Sequence, residues 1–238
     1  MASETSALLR SGGYGPYGAM PAQDTLVVFV RYPVPGRVKT RLGRTLGDDR
    51  AARVYDAFVR DLVGRFAGSP FQVRWAVAPP NPGFAERFCV AAEHCCEQEG
   101  ADLGARMLHA FRTELAGQEG RCVLIGSDAP HLSVEHVHDA LARLGEADVV
   151  LGPAMDGGYY LIAMGEPHDV FSGITWSVDS VREATRARAR DLGLRVAELA
   201  PDFDVDDVAD LERLRELLRA GRVRCPATER LLAEVAPS

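Results

Sequence analysis

Short hydrophobic runs alternate with amphipathic stretches along most of this chain, a pattern typical of an open α/β sheet. The apolar runs are rich in β-branched residues and show no strict polar alternation, which indicates strands that are covered on both faces. We therefore predict a mostly parallel sheet between layers of helices. The predicted strands are Thr25–Arg31, Gln72–Ala78, Cys122–Ile125, Asp148–Leu151 and Tyr159–Ala163.

The first long helix is predicted over Asp48–Phe66, because Val54, Phe58, Leu62 and Phe66 recur at a spacing of four residues. That spacing places the four side chains on one face of a helix. Similar but shorter patterns predict four more helices. These are Asp102–Leu115, Val134–Leu144, Asp179–Leu192 and Asp206–Leu218.

Residues 1–23 differ from the rest, since they are rich in Gly, Ser and Pro and have no hydrophobic periodicity. They lack the basic start and apolar middle of a signal peptide, so we expect a flexible N-terminal tail. Residues 24–238 show no linker and no repeat, which predicts a single domain. The chain has no run of 18 apolar residues, so no membrane span is expected.

The net charge of −7 and the pI near 5.4 argue against a broad nucleic-acid-binding face. A protein this acidic needs a local basic patch in order to bind phosphates. The five cysteines form no CxxC pair and, being odd in number, no complete disulfide framework. We expect reduced thiols and a cytoplasmic location, with no membrane partner; the oligomeric state is left open.

A basic loop follows the first predicted strand and contains Arg31, Arg37, Lys39 and Arg41. Prolines and Gly36 stiffen and turn this loop, so its cations can converge on one point. Ligands of open α/β sheets bind outside the carboxyl ends of the strands, which favours phosphate binding here. A solvated basic turn is the alternative. The loop is not a P-loop, because GxxxxGK[ST] is absent.

Acidic residues stand at two further places that suit a metal site. Asp128 follows the third predicted strand, and Asp204 and Asp206 project to the same side of an extended segment. Carboxylates are the ligands that Mg²⁺ or Mn²⁺ prefers, so Asp128 with Asp204 or Asp206 predicts a metal site. The alternative is a capping role, in which Asp128 caps a turn or the next helix and Asp206 or Asp207 caps the last predicted helix.

Two features suit an acceptor site. Asp156, Gly157 and Gly158 follow the fourth predicted strand, where the backbone must turn beside a ligand or simply form a hairpin. Trp176 precedes a predicted helix and forms either a wall of the acceptor pocket or part of the core.

Six segments in this order resemble the family called rSAM/selenodomain-associated transferase 1. They are VVFVRYPVPGRVKTRLG, QEGADLGARM, LIGSDAPHL, VVLGPAMDGGYYLI, ITWS and DFDVDDVADL. The resemblance runs from about Thr25 to Leu217 and leaves the N-terminal tail outside. That family is similar to 2-phospho-L-lactate guanylyltransferase, and some members are labelled glycosyltransferases.

The resemblance implies the GT-A nucleotide-diphospho-sugar transferase fold, a Rossmann-like α/β/α sandwich of three layers. It implies that the loop with Arg31, Lys39 and Arg41 meets phosphates and that Asp128 binds the metal. It also makes Gln98, Gly100 and Asp102 candidates for the base or ribose site. From the residues alone, Gly100 and Asp102 fit a turn and the N-cap of the next helix equally well.

The fold itself does not decide between two transfer reactions. Nucleotidyl transfer joins an NTP-derived NMP to a phosphorylated or acidic acceptor, and the departing pyrophosphate requires several cations besides the metal. We favour this reaction because the basic loop supplies those cations, with Lys39, Arg41 and Asp128 as catalytic residues. The alternatives are a glycosyltransferase that uses an NDP-sugar and a regulator that binds nucleotide without turnover.

Overall fold

The computed structural model describes residues 23–117, 120–176 and 179–234, and its centre is one seven-stranded sheet. The predicted tail, residues 1–23, lies outside the described residues except for Gln23. The strands are β1 (Thr25–Val30), β2 (Gln72–Val77), β3 (Cys95–Glu97), β4 (Cys122–Gly126), β5 (Val149–Pro153), β6 (Tyr159–Met164) and β7 (Val196–Glu198).

The strand order is β3-β2-β1-β4-β6-β5-β7, and only the pairs that involve β6 are antiparallel among the described strands. The pairs of β1 with β2, β1 with β4, β2 with β3 and β5 with β7 are parallel. The prediction of a mostly parallel sheet is confirmed.

Helices cover both faces of the sheet. They are α1 (Thr40–Leu46), α2 (Asp48–Phe66), α3 (Gly83–Phe88), α4 (Leu103–Glu114), α5 (Val134–Arg143), α6 (Val181–Asp191), α7 (Val208–Arg219) and α8 (Pro226–Glu234). None of these helices, in the ranges that the structure describes, is both long enough and apolar enough to cross a membrane.

Alternate residues of β1 enter the two different halves of the core, because successive side chains of a strand point to opposite faces. Leu26 and Val28 pack in a cluster with Leu62 of α2. Val27 packs on the other face, in a cluster with Phe111 of α4. A strand buried on both faces gives a continuous apolar run, and all six residues of β1 are buried. The α/β/α sandwich of three layers is therefore confirmed.

All five predicted strands and all five predicted helices are present, with ends shifted by a residue or two. The predictions missed the short edge strands β3 and β7 and the helices α1, α3 and α8. Helix α8 is held by one buried carboxylate. Asp61 of α2 accepts hydrogen bonds from the backbone N–H groups of Ala227 and Thr228 and from the Thr228 hydroxyl, at 2.6–2.9 Å. This contact satisfies donors that a helix start leaves unpaired.

Candidate active site

A cavity of about 910 Å³ opens at the carboxyl ends of β1 and β4. The chain leaves β1 toward β2 on one side, while β4 lies on the other side of β1. Loops that leave the two strands in opposite directions open a crevice between them, which is where such sheets bind ligands. The described residues therefore place a large cavity at the position that the fold favours.

All four cations of the basic loop line this cavity: Arg31, Arg37, Lys39 and Arg41. Arg106 of α4 also lines it, so five cationic side chains meet in a protein of net charge −7. Gly36 does not reach the cavity wall. It turns the loop with a φ of 71°, and an added Cβ would lie 3.2 Å from the Asp48 carboxylate.

Lys39 is buried among carboxylates, with its side chain only 3% exposed. Its Nζ lies 2.5 Å from Oδ1 of Asp128 and 2.9 Å from Oδ1 of Asp206. Burial alone would lower the pKa of Lys39, but the two carboxylates outweigh it and raise the pKa above its ordinary value. Lys39 is therefore charged in the free protein and neutralises part of the acidic cluster.

The two acidic segments that carry Asp128, Asp204 and Asp206 are joined by their backbones. The N–H of Val205 donates to the carbonyl of Asp128 at 2.9 Å, and the buried Val205 side chain leaves its two neighbours facing the cavity. Burial, followed by the charge of Asp128, raises the pKa of Asp204 to about 8. Asp207 has the other predicted role, since its side chain caps α7 through the N–H groups of Ala209 and Asp210.

The donor set can be tested for its fit to a divalent cation. Asp128, Asp204 and Asp206 offer carboxylate oxygens, the ligand type that Mg²⁺ and Mn²⁺ prefer. Within the described residues, however, no three acidic, His or Cys side chains are already arranged around one ion. The ammonium of Lys39 takes the position between Asp128 and Asp206. The chemistry fits a divalent metal, which would compete with the Lys39 ammonium for these two carboxylates.

A buried hydrogen-bond network fixes the loops after β1 and β4. The hydroxyl of Tyr55 lies 2.6 Å from the Ser127 hydroxyl and accepts a hydrogen bond from the Arg31 N–H at 2.9 Å. Burial, followed by the charge of Asp128, raises the pKa of Tyr55 to about 12, so the phenol remains protonated. The network holds the first residue of the basic loop beside the residue that precedes Asp128.

Asp202 connects three loops that carry candidate acids. Its carboxylate lies 2.9 Å from Nε2 of His131, while its backbone pairs with Pro153 and Met155. Burial opposes ionisation, but the hydrogen bond from His131 and the nearby His136, 3.6 Å away, lower the pKa of Asp202 below its usual range. Asp202 is therefore charged at neutral pH and ties the loop after Asp128, the Asp156 loop and the Asp204 segment to one another.

The Asp156 loop is both a turn and a wall of the cavity. Asp156 Oδ1 accepts a hydrogen bond from the Gly158 N–H at 2.9 Å, and both residues line the cavity. Gly157 is not among the residues that line the cavity. Its φ is 90°, and an added Cβ would lie 1.9 Å from the carbonyl oxygen of Asp179. Only glycine fits at that position.

Trp176 also has both of the predicted roles. Its indole lines the cavity and packs in the core beside Phe171, with ring centroids 6.4 Å apart. Gly104 at the start of α4 makes room for it, since a Cβ there would lie 2.5 Å from the Trp176 ring.

Of the three candidates for the base or ribose site, Gln98, Gly100 and Asp102, only Gln98 lines the cavity. Its Nε2 donates to the carbonyls of Val30 and Ala76 at 3.3 and 2.7 Å. Asp102 instead caps α4 by accepting a hydrogen bond from the Ala105 N–H, and Gly100 has a φ of 144° against the same helix start. The structure thus gives Gly100 and Asp102 the turn and N-cap roles and places neither in the cavity.

Several cavity residues were not predicted. Arg106 and Asp179 lie at helix starts, and Tyr55, Tyr159 and Tyr160 line the wall. The sequence held a partial signal for two of them, because Tyr159 and Tyr160 directly follow the Asp-Gly-Gly turn. Arg106 lies within the resembling segment QEGADLGARM but was not singled out there, and Tyr55 and Asp179 reach the cavity only through helix packing.

The structure resembles solved nucleotide- and sugar-transferring proteins. It matches a protein of Desulfovibrio desulfuricans G20, assigned provisionally as a nucleotide-diphospho-sugar transferase, with a TM-score of 0.81 and 37% identity. The match covers 90% of this chain and 95% of that one. A cytidylyltransferase from Leptospira borgpetersenii matches with a TM-score of 0.52 and 14% identity, over 83% of this chain and 87% of that one. At this identity, the similarity to the Leptospira protein shows the fold alone.

The fold is therefore that of the nucleotide-diphospho-sugar transferases and cytidylyltransferases. The chain belongs to the same family as the Desulfovibrio protein, and its residues 67–178 match the family model described as "Uncharacterized protein conserved in bacteria (DUF2064)". A search among curated proteins gives no match.

Proposed function

We propose that this protein is a metal-dependent nucleotidyltransferase. It joins the NMP part of an NTP to a small phosphorylated or acidic acceptor and releases pyrophosphate. The observation that carries the proposal is the convergence of Arg31, Arg37, Lys39, Arg41 and Arg106 on one cavity of an acidic protein. The β- and γ-phosphates of an NTP leave together as pyrophosphate, and several cations around them would offset the negative charge that grows on the leaving oxygens.

The basic loop acts on the leaving group. Arg37 and Arg41 are exposed at the cavity and free to form bidentate contacts with the outer phosphates, while Lys39 supplies a compact charge deeper in the site. Asp128, with Asp204 or Asp206, would hold Mg²⁺ or Mn²⁺. Such an ion would supply Lewis-acid charge that offsets the negative charge developing on the leaving group.

The acceptor enters from the side of Asp156, Gly158 and Trp176. Its oxyanion attacks the α-phosphorus, a new P–O bond forms, and the bond to the β-phosphate oxygen breaks as pyrophosphate leaves. An acceptor that is already an anion has no proton to lose, so no general base is required. Gln98, whose side chain is bonded to the carbonyl of Val30 at the end of β1, would lie beside the base or the ribose.

The alternative is glycosyl transfer from an NDP-sugar, which the provisional assignment of the Desulfovibrio relative favours. In that reaction the basic loop would clamp a diphosphate and no pyrophosphate would form. The cytidylyltransferase and the CMP:2-keto-3-deoxy-manno-octonic acid synthetase, which was solved with CTP, share only the fold at 14% and 13% identity. They leave the choice between the two reactions to experiment.

The narrower resemblance to rSAM/selenodomain-associated transferase 1, like the cytoplasmic location, stays a prediction.

The deciding measurement is pyrophosphate release from each NTP across a panel of phosphorylated and carboxylated acceptors, run beside NDP-sugar consumption. We expect Mg²⁺-dependent pyrophosphate release with at least one acceptor, and loss of most of it in Asp128→Asn. Sugar transfer without pyrophosphate from any NTP would establish the alternative. Nucleotide binding without turnover of either donor class would favour a regulator.

A further inference from the structure

Lys39 occupies a place that a lysine rarely takes. The long side chain of a lysine usually keeps its ammonium in water, because burying the charge is costly. Here the ammonium is buried at the floor of the cavity and is held by Asp128 and Asp206. Its backbone is left-handed, with φ 47° and ψ 46°, a conformation that favours glycine. Such a residue persists only where its surroundings compensate, which here is the pair of carboxylates.

The carboxylates that hold Lys39 are two of the three that a divalent cation would use. The ammonium contacts Oδ1 of Asp128 and Oδ1 of Asp206, so an ion bound by both carboxylates would lie within a few ångströms of it. Two cations this close repel each other strongly in a partly buried site. Lys39 and a metal therefore compete for the two carboxylates.

We propose that Lys39 is the resident counter-ion of the carboxylate pair and competes with the divalent metal. The metal then binds weakly to the free protein and tightly only together with a nucleotide, whose phosphates draw the ammonium away from Asp128 and Asp206. The inference rests on the proposed function for its metal and its nucleotide. It adds an order of events, in which metal and nucleotide enter as one complex.

The geometry permits this exchange without a change of fold. Lys39 itself lines the cavity, and its stem has four rotatable bonds, so rotation of the side chain brings the ammonium toward bound phosphates. Arg37 and Arg41 flank it on the same loop and hold the phosphates within reach. When the ammonium leaves, the oxygens of Asp128 and Asp206 become available together.

The test is a calorimetric titration of the nucleotide-free protein with Mn²⁺. We expect Lys39→Met to bind Mn²⁺ about tenfold more tightly than the wild type, or more, because a like charge within a few ångströms is gone. Arg44→Met is the matched control. Arg44 lies on α1, close to Lys39 in the sequence, but is exposed outside the cavity, so its loss should change Mn²⁺ affinity less than about threefold.

Lys39→Gln is a second variant for the case that Lys39→Met folds poorly. Its amide can still donate hydrogen bonds to both carboxylates. This variant should also bind Mn²⁺ more tightly than the wild type. Adding a non-hydrolysable NTP analogue should strengthen Mn²⁺ binding in the wild type far more than in either Lys39 variant. Equal or weaker Mn²⁺ binding by both Lys39 variants in the absence of nucleotide would overturn the proposal. That titration needs no turnover, so it remains decisive even if neither transfer reaction is found.

Discussion

At the scale of single residues, Asp204 shows how the site lowers the stability of the folded protein. Its carboxyl is half-buried beside Asp128 and Asp206, and Lys39 offsets only part of this like-charge repulsion. Burial and the neighbouring carboxylates raise its pKa to about 8, far above the ordinary value of an aspartic acid. Groups kept in such surroundings reduce stability and are typical of functional sites.

The raised pKa of Asp204 predicts a dependence of stability on pH. Because the folded-state pKa exceeds the unfolded-state value, the contribution of Asp204 is fully present below about pH 4 and is lost as the pH rises toward 8. Over that window the free energy of unfolding falls by up to about 1.4 kcal/mol per pH unit from this group. Asp204→Asn should therefore gain stability over the wild type as the pH rises.

The measurement is urea unfolding with EDTA present, at several pH values between about 4 and 8. Asp207→Asn is the matched control, because asparagine still caps α7 and leaves Asp204 in place. Parallel curves for the wild type and Asp204→Asn would contradict the prediction.

At the scale of elements, length decides what the sequence could predict. Helix α2 was predicted with its observed bounds, since nineteen residues of sustained periodicity leave little doubt. Strands β3 and β7 have three residues each, too few to show an alternation. Helix α1 begins at Thr40, and its N-cap residue, the left-handed Lys39, provides no side-chain cap, so the sequence carried no helix-start signal there.

The candidate site also contains residues that the sequence could predict, near strand ends, and residues that it could not, on helices. Arg31 and Asp128 could be found because they stand within two residues of strand ends, and strand ends of one sheet meet at one edge. Asp179 could not, and Arg106 was passed over inside a resembling segment, because α6 and α4 face the crevice only through tertiary packing. Asp102 was ambiguous in the sequence, since a capping residue and a ribose ligand both call for an acid at a helix start.

Gly157 is the point where the Asp156 loop meets α6. Gly157→Ala should lower the free energy of unfolding by more than about 2 kcal/mol, because the new methyl group would collide with the Asp179 carbonyl in addition to the left-handed strain. Gly193→Ala is the matched control. Gly193 has a φ of 74° and nothing within 4 Å of an added Cβ, so it should cost only about 1 kcal/mol.

Urea unfolding of both variants measures the difference. Since Asp179 lines the cavity, Gly157→Ala should also weaken acceptor use, whereas Gly193→Ala should not. Similar losses of stability in the two variants would show that the loop can move away from Asp179.

At the scale of the whole molecule, the cations that could bind phosphates are gathered at one cavity. The protein carries a net charge of −7, and five cations line this cavity together with the five carboxylates of Asp128, Asp156, Asp179, Asp204 and Asp206. The formal charges of the lining cancel, so phosphate binding depends on the exposed Arg37 and Arg41 and on a divalent cation that would neutralise the carboxylates. This lining suits a small polyanion bound with a metal better than an extended nucleic acid, which would meet the acidic surface of the protein.

This distribution predicts how affinity depends on the number of phosphates. Arg41 is exposed and its nearest acidic partner, Asp206, lies 3.8 Å away, so the guanidinium is free to bind an outer phosphate. Loss of such a charge-assisted contact costs on the order of 1.5–3 kcal/mol, so Arg41→Ala should weaken NTP binding roughly 10- to 150-fold. NMP binding should hardly change, because an NMP lacks the outer phosphates.

Arg44→Ala is the control, since Arg44 lies on the same short helix, α1, but is exposed outside the cavity. Affinities can be measured by calorimetry and checked by Tm, because a ligand at 100 times its Kd adds about 2.7 kcal/mol of stability. An Arg41→Ala variant that loses NMP and NTP affinity equally would place Arg41 at the α-phosphate or the base. The outer phosphates would then contact other cations of the cavity, such as Arg37 and Arg106.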